Sequence, residues 1–207
     1  MARMGKYTEI YEHTLQVEGD SILSLRDTLD YAVMDEIVEL LLKVKPNSHK
    51  VIVAGAGTSG IVARKIAHTL SVIEVPAFPL LPDVSVHGGM GAIQKGDVVV
   101  LLTKGGNTEE MLQYLPVCKA KGAIVIGVSE DRNSVLAKSS DIFLQVRIAR
   151  EPCPWNLIAT GSSLSVLAVW DAIAFAVMAH NGYTKEDLLL THKGGAVGQK
   201  LVHGSTV

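Results

Sequence analysis

Three short runs of aliphatic and β-branched residues constrain this chain more than any other feature: Val51-Ile52-Val53-Ala54, Val98-Val99-Val100-Leu101-Leu102 and Ile124-Val125-Ile126-Gly127-Val128. Each is too short for a helix and has no polar alternation, so each reads as a strand buried on both faces. Helical stretches separate them. One runs from Ser59 to about Leu70 after the first strand, and another starts near Glu109 after the third. Two weaker strands, Pro76 to Leu81 and Ile142 to Val146, bring the total to five, with a short helix from Ser134 to Ser139 before the last. Strands alternating with helices at this spacing predict an α/β protein, a three-layer αβα sandwich around a five-stranded parallel sheet, Rossmann-like or flavodoxin-like in type.

Outside that alternation lie two further helical segments. From Gly19 to Val44 apolar residues recur at three and four, which predicts one amphipathic helix stopped by Pro46-Asn47-Ser48. After Pro152 and Pro154 a long apolar helix runs roughly from Ser162 to Asn181, with Gly182 placed to end it. The window Ala159 to Met178 approaches membrane length, but Asp171 lies within it. An ionisable group in mid-span is costly in lipid, so the segment reads as a buried or interface helix and no membrane partner is expected. The two helical segments carry more apolar surface than one sheet of this size needs to cover itself, so a homo-oligomer, dimer or tetramer, is expected.

At 207 residues the chain suits one core. A single domain is expected over 1–207, with a helical segment at about 1–45, a core at about 46–201 and a short tail at 202–207. Nineteen basic residues against 21 acidic ones leave a net charge of −2, which argues against nucleic acid as a partner. Cys118 and Cys153 form no disulfide framework and no metal-ligand spacing, and no apolar stretch follows Met1 to Tyr7 as a signal peptide would require. A cytoplasmic protein is expected.

Two turns of one kind follow two of the strands: Gly55-Ala56-Gly57-Thr58-Ser59-Gly60, and Thr103-Lys104-Gly105-Gly106-Asn107-Thr108. Each sets glycines, hydroxyls and the positive end of a helix at the carboxyl edge of the sheet, where free N–H groups bind anions. A single such turn is most simply a bend with a helix cap. Two of them facing one crevice favour a shared phosphate site. The first turn also fits G-x-G-x-x-G, but no acid ends the second strand, which disfavours a nicotinamide cofactor. No Walker-type G-x-x-x-x-G-K-[ST] sequence is present. Taken alone, Glu151 between Arg150 and Pro152 reads as an ion-paired loop acid, His192 as a helix-end histidine and Glu110 as a first-turn acid. His87, beside two glycines in a loop, has the best independent case for function.

These residues resemble the sugar isomerase (SIS) domain of phosphosugar isomerases and phosphosugar-binding regulators, over about residues 20 to 201. Within it the likeness is to the arabinose-5-phosphate isomerases, carried by Gly55 to Gly60, His87-Gly88, Gly106 to Glu110, Arg150-Glu151-Pro152-Cys153-Pro154 and Thr191 to Gly198. Many members carry a C-terminal CBS pair, which this chain is expected to lack. The resemblance implies an aldose–ketose isomerase acting on a sugar phosphate through an enediol, with no cofactor and no metal. It implies that Gly57, Thr58, Ser59, Thr103, Lys104, Gly105 and Thr108 hold the phosphate, and that Glu110, Glu151 and His87 face the sugar. Glu151 would be the enediol base, and His192, reaching in from a neighbouring subunit, the ring-opening or shuttling group. Thr58 stands where the family has Lys, Gly89 where it has Asp, Asn107 where it has Glu and Lys193 where it has Pro; Lys104 would restore the missing cation. The alternatives are a non-catalytic phosphosugar sensor, motivated by those departures, and a 6-phospho-3-hexuloisomerase.

Overall fold

The computed structural model describes residues 5–192 and Gly194. Its first two helices, α1 (Thr8–Thr28) and α2 (Tyr31–Leu42), both pack against the long helix near the C-terminus, and α2 contributes to the core on one face of the sheet. The sequence predicts a single helix from Gly19 to Val44, and the structure corrects this. Leu29 is extended, and the Asp30 side chain accepts from the Val33 N–H (3.3 Å), capping a new helix. Asp30 outcompetes helix continuation because its carboxylate satisfies one of the free N–H groups that any helix start exposes.

The rest follows the predicted alternation: β1 (Val51–Gly55), α3 (Thr58–Val72), β2 (Ala77–Pro79), α4 (Pro82–Ser85), a 3₁₀ turn at Gly89–Ala92, β3 (Val98–Leu102), α5 (Glu109–Leu112), α6 (Tyr114–Lys121), β4 (Ile124–Ser129), α7 (Val135–Ser139), β5 (Ile142–Gln145), α8 (Gly161–His180) and α9 (Lys185–Thr191). The five strands are parallel in the order β2-β1-β3-β4-β5. Gly55 stands opposite Leu102 where β1 and β3 pair, so both strands end at the same level.

Period-two alternation divides the strand residues between two cores. Val51, Val53, Val98, Val100 and Leu102 face α2, α3 and α8 together with Ile37, Leu41, Ile66 and Trp170. Ile52, Ala54, Val99 and Leu101 face the other way, onto Met111, Tyr114 and Leu136. At the starting edge of the sheet Asp97 is buried; it accepts from the N–H groups of Lys50 (3.1 Å) and Gln94 (2.8 Å) and pairs with the Lys50 ammonium at 2.6 Å. That pin locks the beginnings of β1 and β3 together.

Among the described residues, α8 is the one helix long and apolar enough to cross a membrane. In the fold it packs against α1, α2 and α3, and its Asp171 pairs with Lys65 of α3. Asp171, the ionisable group within that apolar window, therefore has a partner within the chain. Asn181 holds the other end of α8 by donating to the Ile73 carbonyl (2.9 Å), and Gly182 takes φ = +77° as the helix terminates.

Candidate active site

The chain leaves β1 toward β2 on one side of the sheet, whereas β3 lies on the other. A crevice must therefore open above the carboxyl ends of β1 and β3, the place where ligands bind in open α/β sheets. The two glycine-rich turns both start there. Ser59 from the first and Thr103 and Lys104 from the second line one cleft, which Glu130, Ser162 and Ser163 complete. The cleft has a volume of about 40 Å³, enough for a few waters and less than a sugar phosphate needs.

Glu151 lies behind it, bonded to the lining residues Lys104 and Ser162. It lies in the connection between β5 and α8 and is 0% exposed. Its Oε2 accepts from the backbone N–H groups of Thr160 (3.1 Å) and Ser162 (3.3 Å) at the start of α8, and its Oε1 accepts from the Ser162 hydroxyl and from Lys104 Nζ (2.5 Å). Thr160 supplies no side-chain cap, so a carboxylate from the preceding loop caps this 20-residue helix instead. Burial alone would push the Glu151 carboxyl up. The bonds from Lys104, Ser162 and the two N–H groups outweigh it and hold the group below the usual carboxylate range. The loop is fixed from behind, where the Glu151 N–H donates to Asn156 Oδ1 (2.6 Å).

Lys104 sits between two acids. Its ammonium is 3.9 Å from Glu130 Oε1 as well as bonded to Glu151. Burial pushes Glu130 up, with Lys104 only partly opposing and Glu151 adding repulsion. A carboxyl whose folded pKa is raised costs stability above that value, and the cost vanishes below its unfolded pKa of about 4.3. Glu130→Gln is therefore expected to raise the melting temperature by about 1–4 °C at pH 7, with the two proteins converging as the pH approaches 4. A variant that melts lower than the parent at pH 7 contradicts this account.

Other residues of the second turn also brace the loop. The Thr103 and Thr108 hydroxyls bond each other at 2.5 Å, closing the loop. Asn107 Oδ1 accepts from the Val135 N–H (3.0 Å) at the start of α7, and the Gly106 carbonyl accepts from Leu136 (3.0 Å). Asn107, which counted from sequence as a lost acid, is a tie between loop and helix. The glycines of the first turn divide their roles similarly. A Cβ on Gly55 would lie 2.5 Å from the Ser59 carbonyl, and one on Gly60 would lie 2.8 Å from the Gly55 carbonyl, so these two permit α3 to press onto β1. Gly57 has open space around it and φ = +54°.

The remaining predicted residues are dispersed. Glu110 is exposed and lines a neighbouring recess with Gly57, Arg64 and Asp83, on the same edge of the sheet. Thr58 is exposed at the start of α3, and Gly105 is exposed beside Lys104. His87 is exposed between α4 and the 3₁₀ turn and lines neither recess. His192 ends α9, which follows the far end of α8. Asp187 of α9 shares a recess with Lys45, Glu74 and Tyr183 near the starting edge of the sheet, opposite the cleft, so α9 and the His192 that follows it sit away from Glu151 of their own chain. Lys193 and the residues 195–207, which include part of the C-terminal motif, lie outside the described residues. Glu130 and Ser162 are the site residues that the motifs did not mark. Their signals were position alone: an acid directly after a buried strand, and a hydroxyl opening a long helix. Among the described residues no group of three or more His, Cys, Asp or Glu is set to hold a metal ion.

Parallel strands, two glycine-rich turns at the switch point and a buried acid beside them define an α/β domain with a crevice of the anion-binding kind. The chain belongs to the SIS domain family, whose model matches residues 46–176. It is 35% identical to arabinose 5-phosphate isomerase KdsD of Pseudomonas aeruginosa, over 92% of this chain and 57% of that protein. It thus spans little more than half the length of this curated relative. Among solved structures, a sugar-phosphate isomerase homologue from Listeria monocytogenes superposes with a TM-score of 0.88 at 39% identity, covering 93% of this chain and 100% of that one. An Escherichia coli protein in complex with arabinose 5-phosphate gives a TM-score of 0.85 at 30% identity, over 91% and 100% of the two chains.

Proposed function

We propose that the protein is an aldose–ketose isomerase of sugar phosphates, acting through an enediol on arabinose 5-phosphate and ribulose 5-phosphate or a related pair. The observation that carries this reading is the buried carboxylate of Glu151, bonded to Lys104, which lines a cleft that both glycine-rich turns help to build. The name of the Pseudomonas relative and the arabinose 5-phosphate complex of the Escherichia coli structure support the substrate class.

The reaction moves two hydrogens within one molecule, so it has no net redox demand; it needs an anion anchor, a base and an acid. Ser59, Thr103, Thr108 and Lys104 anchor the phosphate. Glu151 takes the proton from the carbon next to the carbonyl, the C–H pair becomes the enediol double bond, and the carbonyl oxygen accepts a proton. Return of the proton to the former carbonyl carbon, with loss of the O–H proton from its neighbour, gives the other sugar. His192 of a second copy opens the ring or shuttles the oxygen-bound proton, with Glu110 and His87 facing the sugar from the rim. Remoteness of His192 from its own Glu151 favours assembly as a homo-oligomer, as does the exposure of Ile10, Leu15 and Phe175 on α1 and α8.

An isomerisation assay over pentose, hexose and heptose phosphates tests the proposal, with His192→Ala as a control. Conversion of at least one pair, strongly reduced in the control, is expected; no turnover on any of them rejects it. A second reading, a phosphosugar sensor without turnover, is favoured by one observation: four bonds pin Glu151 and keep its basicity low. Tight binding of a sugar phosphate with no conversion would establish that reading instead.

A further inference from the structure

Paired with an ammonium at 2.5 Å, Glu151 is a weak base, and the cleft beside it is too small for the substrate. The Lys104 side chain causes the first, and it also lines the cleft. Three features make it the movable part. Glu151 is fixed through Ser162, the α8 N–H groups and Asn156, and is fully buried, whereas the Lys104 side chain is 38% exposed. The lysine stem is flexible, and the next residue, Gly105, has nothing within 4 Å of where a Cβ would stand. Glu130, whose Oε1 is buried without a hydrogen-bond partner among the described residues, keeps a second acid 3.9 Å from the ammonium. The cation is therefore held at the mouth of the cleft between two anions, neither of which completes its coordination.

We propose that Lys104 is a displaceable counter-ion, neutralising Glu151 in the free protein and drawn off by the phosphate of the incoming sugar, so that the base is released only when substrate is bound. The inference rests on the phosphosugar reading above and adds to it a means of coupling. A sugar without a phosphate leaves the ion pair intact and meets a masked base; a sugar phosphate exchanges a carboxylate partner for a dianion and opens the cleft in the same step. Lys104 thereby acts as a specificity-determining residue, one that conditions catalysis on the anion.

Competition between two anions for one cation is measurable without turnover. Inorganic phosphate binding is titrated calorimetrically in the full chain and in Glu151→Gln, Lys104→Met and the double variant. Glu151→Gln removes the competitor and is expected to tighten phosphate binding about tenfold, while the same substitution on the Lys104→Met background changes it less than about twofold. Equal tightening in both backgrounds would show simple charge repulsion and overturn the proposal, as would no tightening in either. Absence of phosphate binding by the unmutated protein removes the anion site, and the functional reading with it, whereas binding without the coupling removes Lys104's role alone. Should Glu151→Gln fail to fold, crystals of the unmutated protein soaked in inorganic phosphate decide the matter. Lys104 Nζ is expected on the phosphate and beyond salt-bridge distance of Glu151, and an ion bound with that pair unbroken refutes the displacement.

Discussion

Replacing Glu151 with glutamine is expected to lower kcat for sugar-phosphate isomerisation by at least about a thousandfold, the range that a positioned general base supplies, while leaving a folded protein. The amide oxygen can still accept from Thr160 and Ser162, but it cannot take a proton from carbon, and its NH₂ group faces the Lys104 ammonium as donor against donor. Glu151→Ala goes further. Lys104 can turn to water, but the N–H groups at the start of α8 are left without an acceptor, at a cost of about 2–4 kcal/mol. The carboxylate's low folded pKa adds a pH signature. Its stabilisation is complete above the unfolded value near 4.3 and is lost as the pH falls through the lower folded value, so the parent should lose stability in acid more steeply than the glutamine variant. A glutamine variant with near-parental kcat would remove Glu151 from the chemistry, and parallel acid-unfolding curves would contradict the account of its ionisation.

Gly55→Ala is expected to damage the scaffold severely. Its Cβ would stand 2.5 Å from both the carbonyl carbon and oxygen of Ser59 and 2.9 Å from the Gly60 nitrogen, all of them backbone atoms of a helix that cannot rotate out of the way. Relief requires α3 to lift off β1, opening the core beneath Val62, Ile66 and Leu70. A loss of about 3 kcal/mol or more corresponds to a fall of about 6–12 °C or more in Tm. Gly57→Ala provides the comparison. With open space but φ = +54°, it should cost about 1–2 kcal/mol of backbone strain only, and phosphate binding, not stability, should report on it. A Gly55→Ala protein melting within about 2 °C of the parent would mean that α3 and β1 are not pressed together as described.

The sheet was legible because its central strands are buried on both faces: Val98 to Leu102 and Ile124 to Val128 have no polar residue to confuse the pattern, and a glycine turn follows the first of them. The break at Leu29-Asp30 was hidden, since Leu25, Leu29 and Val33 keep helical spacing straight across it and only the Asp30 carboxylate, a purely local competitor, interrupts it. At the site, sequence marked Ser59, Thr103, Lys104 and Glu151 but not how they divide their duties. The plain reading of Glu151 as an ion-paired loop acid holds in the structure, though its partner is Lys104, 47 positions away, and not the adjacent Arg150 carried in the motif. Such pairings depend on strand order, which periodicity does not encode. Glu130 escaped because a single acid after a strand resembles any solvated loop residue until the neighbouring turn brings an ammonium to it. Within one chain Glu110 lines a neighbouring recess and His87 lines neither, where the motif implied a shared centre.

Asp97 clamps one margin of the sheet, and the residues that line the cleft occupy the opposite margin. This separation divides the molecule into a part that must not vary and a part that can. Exchanges at Lys104 alter the lining of the crevice while the clamp, five residues of strand away, keeps the strands in register, so the crevice can change by a few loop atoms without re-solving the folding problem.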